Sequence, residues 1–567
     1  MKIALQNSWP NVPNSAEAEW IRRALAVGEK LGFDCREVVT SDDILRFAPD
    51  CVLVTHEYSP KLTPHPTLGL LWSPCSFYAA DPMRRQSILS YDGHLCASAQ
   101  IVEWLEDFLH RQRKRPLIMD GLFLPSSPDC GPARDLPREL AAMYAGIHWD
   151  GNRYKPVFHG LSQCVPMNIY GPPRKWRHVG HSYRGALPFD GRSVIEAIRA
   201  SGIALCLHKP EHRAYNCPSM RLLEAAAAGA LIISDDFAFP RYWFRDSVLY
   251  IDTELPPGLL VDQIKGHVEW ACENPEAANR RARLSTELFR RSLSLDRILE
   301  RVPEFVDRVR QSCRMSVASD RPCHGPTVEY ILRIDSKPIN DLATALDSLA
   351  NQTYRNIALT LVQLHHLEGL EEMISSYRAQ FRWLRQHIVA NDDERTDLSS
   401  LKADFFGVLD HGDALYPNHV AVILDHFQRY PECGLVYSGV IREQTDEGRY
   451  IDAINFQGPG DKTIAETREL TFFDSPDHAR PESLYDCIQS NAWLCRSSVL
   501  NSGRLDRAAD LSNALAEGTV VGFTGSPTMV RHEQSSGCRG WPDPGGGVHG
   551  SSTAPRSGQV SIPVCGR

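Results

Sequence analysis

From Lys2 onward, short apolar runs alternate with longer segments whose apolar residues recur at helical spacing. Lys2–Gln6 reads as a buried strand. Asn14, with Glu17 three residues on, caps a helix that reaches Leu31 and stops at Gly32. Phe33–Val39, Cys51–Thr55 and Leu68–Trp72 read as strands, Ser41–Phe47 as a helix, and Ala97–Arg111 as a strongly amphipathic helix. Pro125–Pro137, rich in Pro, Ser, Gly and Asp, reads as a linker. The alternation then resumes, with strands Ala141–Ile147, Met167–Tyr170, Ile203–Leu207 and Leu231–Ser234. Helices Ser193–Ala200, Ser219–Ala228, Val261–Glu273 and Glu276–Phe289 fall between and after them. Such alternation predicts parallel sheets covered by helices on both faces. Two Rossmann-like α/β domains are therefore expected, over residues 1–130 and 138–310.

Residues 311–326 lose all periodicity and read as a second linker. A third α/β unit is expected over 327–536, with strands Val328–Ile334, Ile357–Val362 and Phe405–Leu409 and helices Asp341–Asn351, Met373–Phe381 and Val420–Tyr430. In 537–567, 16 of 31 residues are Gly, Pro or Ser, so no packed core is expected and the tail reads as disordered.

Composition narrows the function classes. The chain has 567 residues, 43% of them hydrophobic and 23% charged, as in an ordinary globular protein. The formal charge of −9 gives no general reason to bind nucleic acid. No apolar run is long enough to span a bilayer, and the first residues read as a strand rather than a secretory signal. The 16 cysteines are scattered and form no Cys-x-x-Cys, which points to reduced thiols in a cytoplasmic setting. Peripheral membrane association stays open.

The most informative segment is His208–Gly229. It follows a predicted strand and opens a helix, with Pro218 at the start and Gly229 just past the end. A helix N-terminus after a strand offers free amides and partial positive charge to a diphosphate. Lys209 and Arg213 lie just upstream, where they add charge; His208 is a candidate phosphate or sugar contact. Glu224, one turn in and on the face of Met220 and Arg221, suits the two hydroxyls of a ribose. Pro210 between His208 and His212 breaks metal-ligand spacing, and no third ligand follows.

The run Pro218-Ser219-Met220-Arg221-Leu222-Leu223-Glu224, the later Ile232-Ile233-Ser234-Asp235-Asp236, and Tyr144–Arg153 resemble the donor-site region of GT-B glycosyltransferases, in particular the spore-maturation-protein CgeB-like, group 1 type. The resemblance covers about residues 1–310. It implies sugar transfer from a nucleotide-diphosphate sugar without a metal cofactor, and a donor site built from Gly146, Arg153, His208, Pro218, Ser219, Met220, Arg221 and Glu224. Lys209 and Arg213 then stabilise the leaving diphosphate, and His56 and Glu57, which follow a strand, are the candidate bases. No Gly-x-Gly-x-x-Gly follows the first strand, which argues against a nucleotide-sugar epimerase or dehydrogenase.

A second constellation lies at Asp410-His411-Gly412-Asp413, after a predicted strand. Two carboxylates on a glycine-containing turn suit a hard cation such as Mg²⁺ or Mn²⁺ together with diphosphate oxygens. With Ser348-Leu349-Ala350-Asn351-Gln352-Thr353-Tyr354, the segment resembles family-2 glycosyltransferases of the GT-A fold; Val530-Arg531-His532-Glu533 resembles a late segment that carries a histidine ligand. The implied metal set is Asp410, Asp413 and His532. Gly412 stands where that family often has its middle aspartate, so a degenerate copy, acting as a carbohydrate-binding or assembly scaffold, is the alternative. The expected whole is a GT-B pair of Rossmann-like domains, a GT-A-like domain and a tail. It would glycosylate a glycan or glycoprotein acceptor in cell-surface polysaccharide biosynthesis.

Overall fold

The computed structural model describes residues 1–10, 12–112, 114–146, 154–315, 325–334, 339–363, 366–388, 396–397, 402–446, 449–450, 452–456, 464–468, 492–499, 504–505 and 520–534. The tail expected to be disordered lies outside them, as does Arg153.

The first domain is a five-stranded parallel sheet, β2-β1-β3-β4-β5. Its strands are β1 (Lys2–Gln6), β2 (Asp34–Val38), β3 (Cys51–Val54), β4 (Thr67–Leu71) and β5 (Gly93–Cys96). Helices α1 (Ala16–Lys30), α2 (Ser41–Phe47), α3 (Cys75–Ala80), α4 (Pro82–Ser90) and α5 (Ala99–Arg111) connect or follow them. α1 is capped by Ser15, which accepts from the Ala18 amide, rather than by Asn14. β5, α3 and α4 escape the hydrophobic pattern. β5 is only four residues, and its His94 is buried with Nε2 against the Ile88 carbonyl at 3.0 Å.

The second sheet is also parallel, β11-β10-β9-β6-β7-β8. It comprises β6 (Ala141–Ala145), β7 (Met167–Tyr170), β8 (Tyr183–Gly185), β9 (Gly202–Cys206), β10 (Leu231–Asp235) and β11 (Leu249–Ile251). α6 (Lys155–Cys164), α7 (Pro173–Trp176), α8 (Ser193–Ser201), α9 (Pro210–Ala214), α10 (Met220–Ala228), α11 (Ala238–Trp243), α12 (Pro257–Glu273) and α13 (Pro275–Ser292) complete it. The chain winds outward from β6 through β7 to β8, then crosses to β9 on the other side. Between β6 and β9 the strand order reverses, and a crevice opens at the carboxyl ends of the strands. In the first sheet the same reversal falls between β1 and β3.

Two expected boundaries need correction. α14 (Leu295–Leu299) and α15 (Val302–Met315) follow the second domain in sequence but bury Leu295, Val302, Phe305, Val306 and Val309 in the cluster that holds the first sheet. The Arg310 guanidinium reaches Asp50 at 2.9 Å. The second domain thus ends near Ser292, and the chain returns to the first. The expected linker 125–137 is partly a buried strap: Ser126 and Ser127 are enclosed, and the Ser127 carbonyl accepts from the Leu295 amide at 2.8 Å.

In the third unit, strands Leu384–Ile388, Ile357–Gln363, Val328–Ile334 and Phe405–Asp410 lie parallel in that order. Trp493–Arg496 then pairs antiparallel with Phe405–Asp410 and with Cys433–Asp446. The Tyr416 hydroxyl bonds the Lys61 carbonyl, which joins this unit to the first domain.

Candidate functional site

α10 opens at the switch point of the second sheet. Ser219 precedes it in extended conformation, and Gly229 ends it in the left-handed region at φ 77°. Seven of its nine residues are buried, because the Leu-Leu-Glu-Ala-Ala-Ala-Ala run packs against both domains. Pro218 is buried, while Ser219, Met220 and Arg221 are half-buried at the opening. Cys217 Sγ lies 3.8 Å from Ser98 Oγ at the start of α5, so the strand ends of the two domains face each other here.

His208 follows β9 and is wholly enclosed. Its Nδ1 is 2.6 Å from Asp235 Oδ1 and its Nε2 is 3.0 Å from Ser219 Oγ. Both ring nitrogens are spent within the protein, which corrects the expectation that His208 itself touches phosphate or sugar. Burial pushes the Asp235 carboxyl up, but the adjacent His208 and Arg213 outweigh it and hold the group below its ordinary range. Asp235 carries no assigned role in the sequence; only the fold brings the end of β10 beside the end of β9.

Arg213, on α9, lies 3.6 Å from Asp235 Oδ2, donates to the Tyr154 hydroxyl at 3.3 Å and pairs with Glu254. A cavity of about 480 Å³ opens beside it, lined by Arg213, Asp236, Arg241, Tyr250, Asp252 and Glu254. Lys209 stands at the start of α9, half-buried. Arg221 donates to the Ala145 carbonyl at 3.2 Å and lies over the Tyr144 ring, which ties α10 to the end of β6. Gly146 follows; its carbonyl accepts from Trp176 Nε1 at 2.9 Å.

Glu224 is buried and turned toward the first domain. Its Oε1 accepts from Arg23 of α1 at 2.7 Å. The same guanidinium pairs with Glu19 at 2.8 Å and reaches Ser127 Oγ at 3.2 Å. The carboxylate expected to hold ribose is therefore held by an arginine from the facing domain. Nothing in the spacing of Glu19 and Arg23 reveals this; they read as an ordinary i,i+4 pair.

At the switch point of the first sheet, His56 and Glu57 follow β3. His56 is enclosed, stacked on Tyr58 with centroids 4.9 Å apart, and its Nδ1 accepts the Tyr58 amide at 3.2 Å. Burial, with Arg84 nearby, holds its pKa well below the ordinary value. A neutral ring whose acceptor nitrogen is already taken has no lone pair for a base, so His56 is withdrawn from that role. Glu57 differs. Burial raises its carboxyl to about 7 against the opposing pull of Arg84, 3.0 Å away. Its Oε2 is buried without a hydrogen-bond partner among the described residues.

In the third unit Asp410 is paired with Arg333, whose Nε lies 2.7 Å from Oδ1, and Asp413 is buried. An arginine on the first carboxylate supplies positive charge where the expected metal set would place a divalent cation. Among the described residues no group of three or more His, Cys, Asp or Glu side chains is placed to hold a metal ion. His532 lies on a strand paired with Glu443; its side chain is outside the described set. No helix of the described residues is long and apolar enough to cross a membrane.

Residues 155–301 match a family model described as glycosyl transferase-like. No curated protein matches the sequence. Among solved structures, the chain is similar to a sucrose-phosphate synthase from Thermosynechococcus elongatus, at 10% identity over 55% of this chain and 100% of that one, with a TM-score of 0.39. It is also similar to Anabaena HepE in complex with UDP and glucose, at 9% identity over 54% and 100%, with a TM-score of 0.38. Residues 1–349 of S. aureus TarS in complex with UDP-GlcNAc match at 12% identity over 36% and 58%, with a TM-score of 0.25.

Proposed function

We propose that residues 1–315 transfer a sugar from a nucleoside-diphosphate sugar to a hydroxyl of a glycan or glycoprotein acceptor, in the assembly of a cell-surface polysaccharide. The observation that carries this reading is the mouth of α10. It opens at a switch point of a parallel sheet, inside the matched segment, with Ser219 half-buried at the opening and Arg213 upstream. Uncapped amides and a guanidinium there suit the charge that grows on a leaving diphosphate. The cavity beside Arg213 offers room for the rest of the donor.

Glu57 is the proposed base. A carboxyl at about 7 is matched to proton abstraction near neutral pH, and its unpartnered oxygen is the one an acceptor hydroxyl would meet. Glu224 keeps its proposed role toward ribose. For that role the Arg23 pair must be shared with or yielded to the donor, so the two domains move relative to each other on binding. The test is transfer and donor hydrolysis across a nucleotide-sugar panel. Arg213→Ala is expected to lower turnover by roughly 10²-fold, as loss of a diphosphate-stabilising group does. Full turnover in that variant contradicts the reading.

For the third unit we propose a scaffold or carbohydrate-binding role. The Arg333–Asp410 pair favours it over metal-dependent transfer. Full-length protein stripped with EDTA, and Asp413→Ala, should then retain transfer within about twofold; loss in both marks a metal-dependent second module.

A further inference from the structure

Three side chains stand in line at the mouth of α10. A serine that precedes a helix ordinarily caps it by accepting from an amide one turn in. Ser219 makes no such bond. Its hydroxyl is turned instead to His208 Nε2 at 3.0 Å, while His208 Nδ1 lies 2.6 Å from Asp235 Oδ1. Asp235 Oδ2 accepts the His208 backbone amide at 2.9 Å, which fixes the carboxylate on both oxygens. The Phe237 ring closes the imidazole edge-on at 4.7 Å. Among the described residues, the charged and titratable groups facing this ring are Asp235 from the end of β10 and Arg213 from α9, whose guanidinium also reaches the His208 carbonyl at 3.4 Å. The imidazole and Asp235 are enclosed, and of these three side chains only Ser219 meets the opening.

The chemistry of such a line is set by one proton. Asp235 is ionised, so Nδ1 keeps its hydrogen and donates it to the carboxylate. If Nε2 is bare, it takes the Ser219 hydrogen, and Ser219 then offers only lone pairs to the opening. If Nε2 is protonated, it donates to the Ser219 oxygen and the hydroxyl hydrogen turns outward. The first state repels a phosphate oxygen and the second binds it.

We propose that Asp235, His208 and Ser219 form a hydrogen-bond polarity switch, in which a diphosphate at the mouth of α10 selects the doubly protonated His208 and receives the Ser219 hydroxyl hydrogen, so that donor binding takes up a proton. The proton comes from solvent, and no covalent bond changes. Ser219 touches the ligand; His208 and Asp235 are positioning residues that act through it. The proposal rests on the donor reading above for what binds, and adds which atom of Ser219 the ligand meets and why.

The test is calorimetric titration of the full chain with UDP, GDP and ADP at pH 7.5, in two buffers of different ionisation heat. The expected result is a binding heat that depends on buffer, corresponding to uptake of up to about one proton per site. Ser219→Ala should bind at least fivefold more weakly and take up none; Ser219→Thr, which keeps the hydroxyl, should restore both. His208→Gln should bind without uptake. An unchanged melting temperature in Ser219→Ala shows that the fold is intact. Binding with the same heat in both buffers, or uptake that survives in Ser219→Ala, overturns the switch and leaves the donor reading standing. Failure of all three diphosphates to bind at millimolar concentration overturns both. Labelling of Ser219 by a fluorophosphonate without linked proton uptake also overturns the switch, since it marks a nucleophile instead.

Discussion

At the residue scale, burial decides what each side chain can do. Glu57 and His56 are neighbours in sequence, both enclosed and both beside Arg84, yet the His56 acceptor nitrogen is taken by the Tyr58 amide while Glu57 Oε2 has no hydrogen-bond partner among the described residues. A base must be ionised to act, so turnover should rise with pH through about 7, the value to which burial raises Glu57. Glu57→Gln should lose that limb and roughly 10²-fold or more in turnover, with donor affinity intact. A pH–rate profile with the same limb in the variant removes Glu57 from the mechanism. The stability consequence has a definite sign. A carboxyl raised in the folded state favours folding below its ordinary value of 4.5 and loses that contribution as pH climbs through about 7. Glu57→Gln should therefore gain stability relative to the native chain between pH 5 and pH 8 in denaturant titrations.

Arg23 is the other residue whose role belongs to the fold. It is held between Glu19 and Glu224 in a fully desolvated contact between the domains. Arg23→Met leaves two buried carboxylates without their partner and should cost about 3–5 kcal/mol of stability. Adding Glu19→Gln and Glu224→Gln should recover most of it, measured by chemical denaturation. Ser219, Arg213 and Glu224 stand out in the sequence because they lie around or just inside a helix that starts after a strand. Arg23, Arg84 and Asp235 were not, because each meets its partner only across a strand order or a domain boundary that periodicity cannot show.

At the element scale, patterning gave the long pieces and caps gave their ends. Ser41–Phe47 and Met167–Tyr170 appear with the boundaries their sequence predicts, the first because Thr40 and Asp43 close a reciprocal capping box. α3, α4 and β5 were missed because they are short and their apolar spacing follows no single period. The loop after β7 depends on a closer constraint. A Cβ on Gly171, at φ 150°, would lie 2.0 Å from the Gly146 carbonyl and 2.5 Å from Trp176 Nε1. Gly171→Ala must displace that contact, and should lower stability by about 2–4 kcal/mol. Because Gly146 borders the proposed donor site, donor affinity should fall with it; a variant with unchanged melting temperature and affinity contradicts this packing.

At the scale of the whole molecule, the α/β class and the parallel sheets followed directly from strand–helix alternation, but the path of the chain did not. The sequence pattern assigns residues up to 310 to the second domain and reads a linker from 311, across the middle of α15. Its apolar face belongs to the first, beside Gly93 and Asp50. A chain cut after Ser292 exposes that part of the first core, so the fragment 1–292 should be insoluble or melt broadly, whereas 1–315 should melt in one transition. Two equally cooperative fragments would show that the return of α15 contributes little. The same crossing makes the facing of the two domains, and so the cleft, a property of the whole first module rather than of either sheet.

The claim on which the rest depends is that the mouth of α10 receives the diphosphate of the sugar donor. A crystal structure of the full chain with UDP tests it most directly. The account predicts phosphate oxygens against the Ser219 hydroxyl and the first amides of α10, with Arg213 alongside. UDP bound in the third unit, or elsewhere in the first module with that mouth empty, contradicts it.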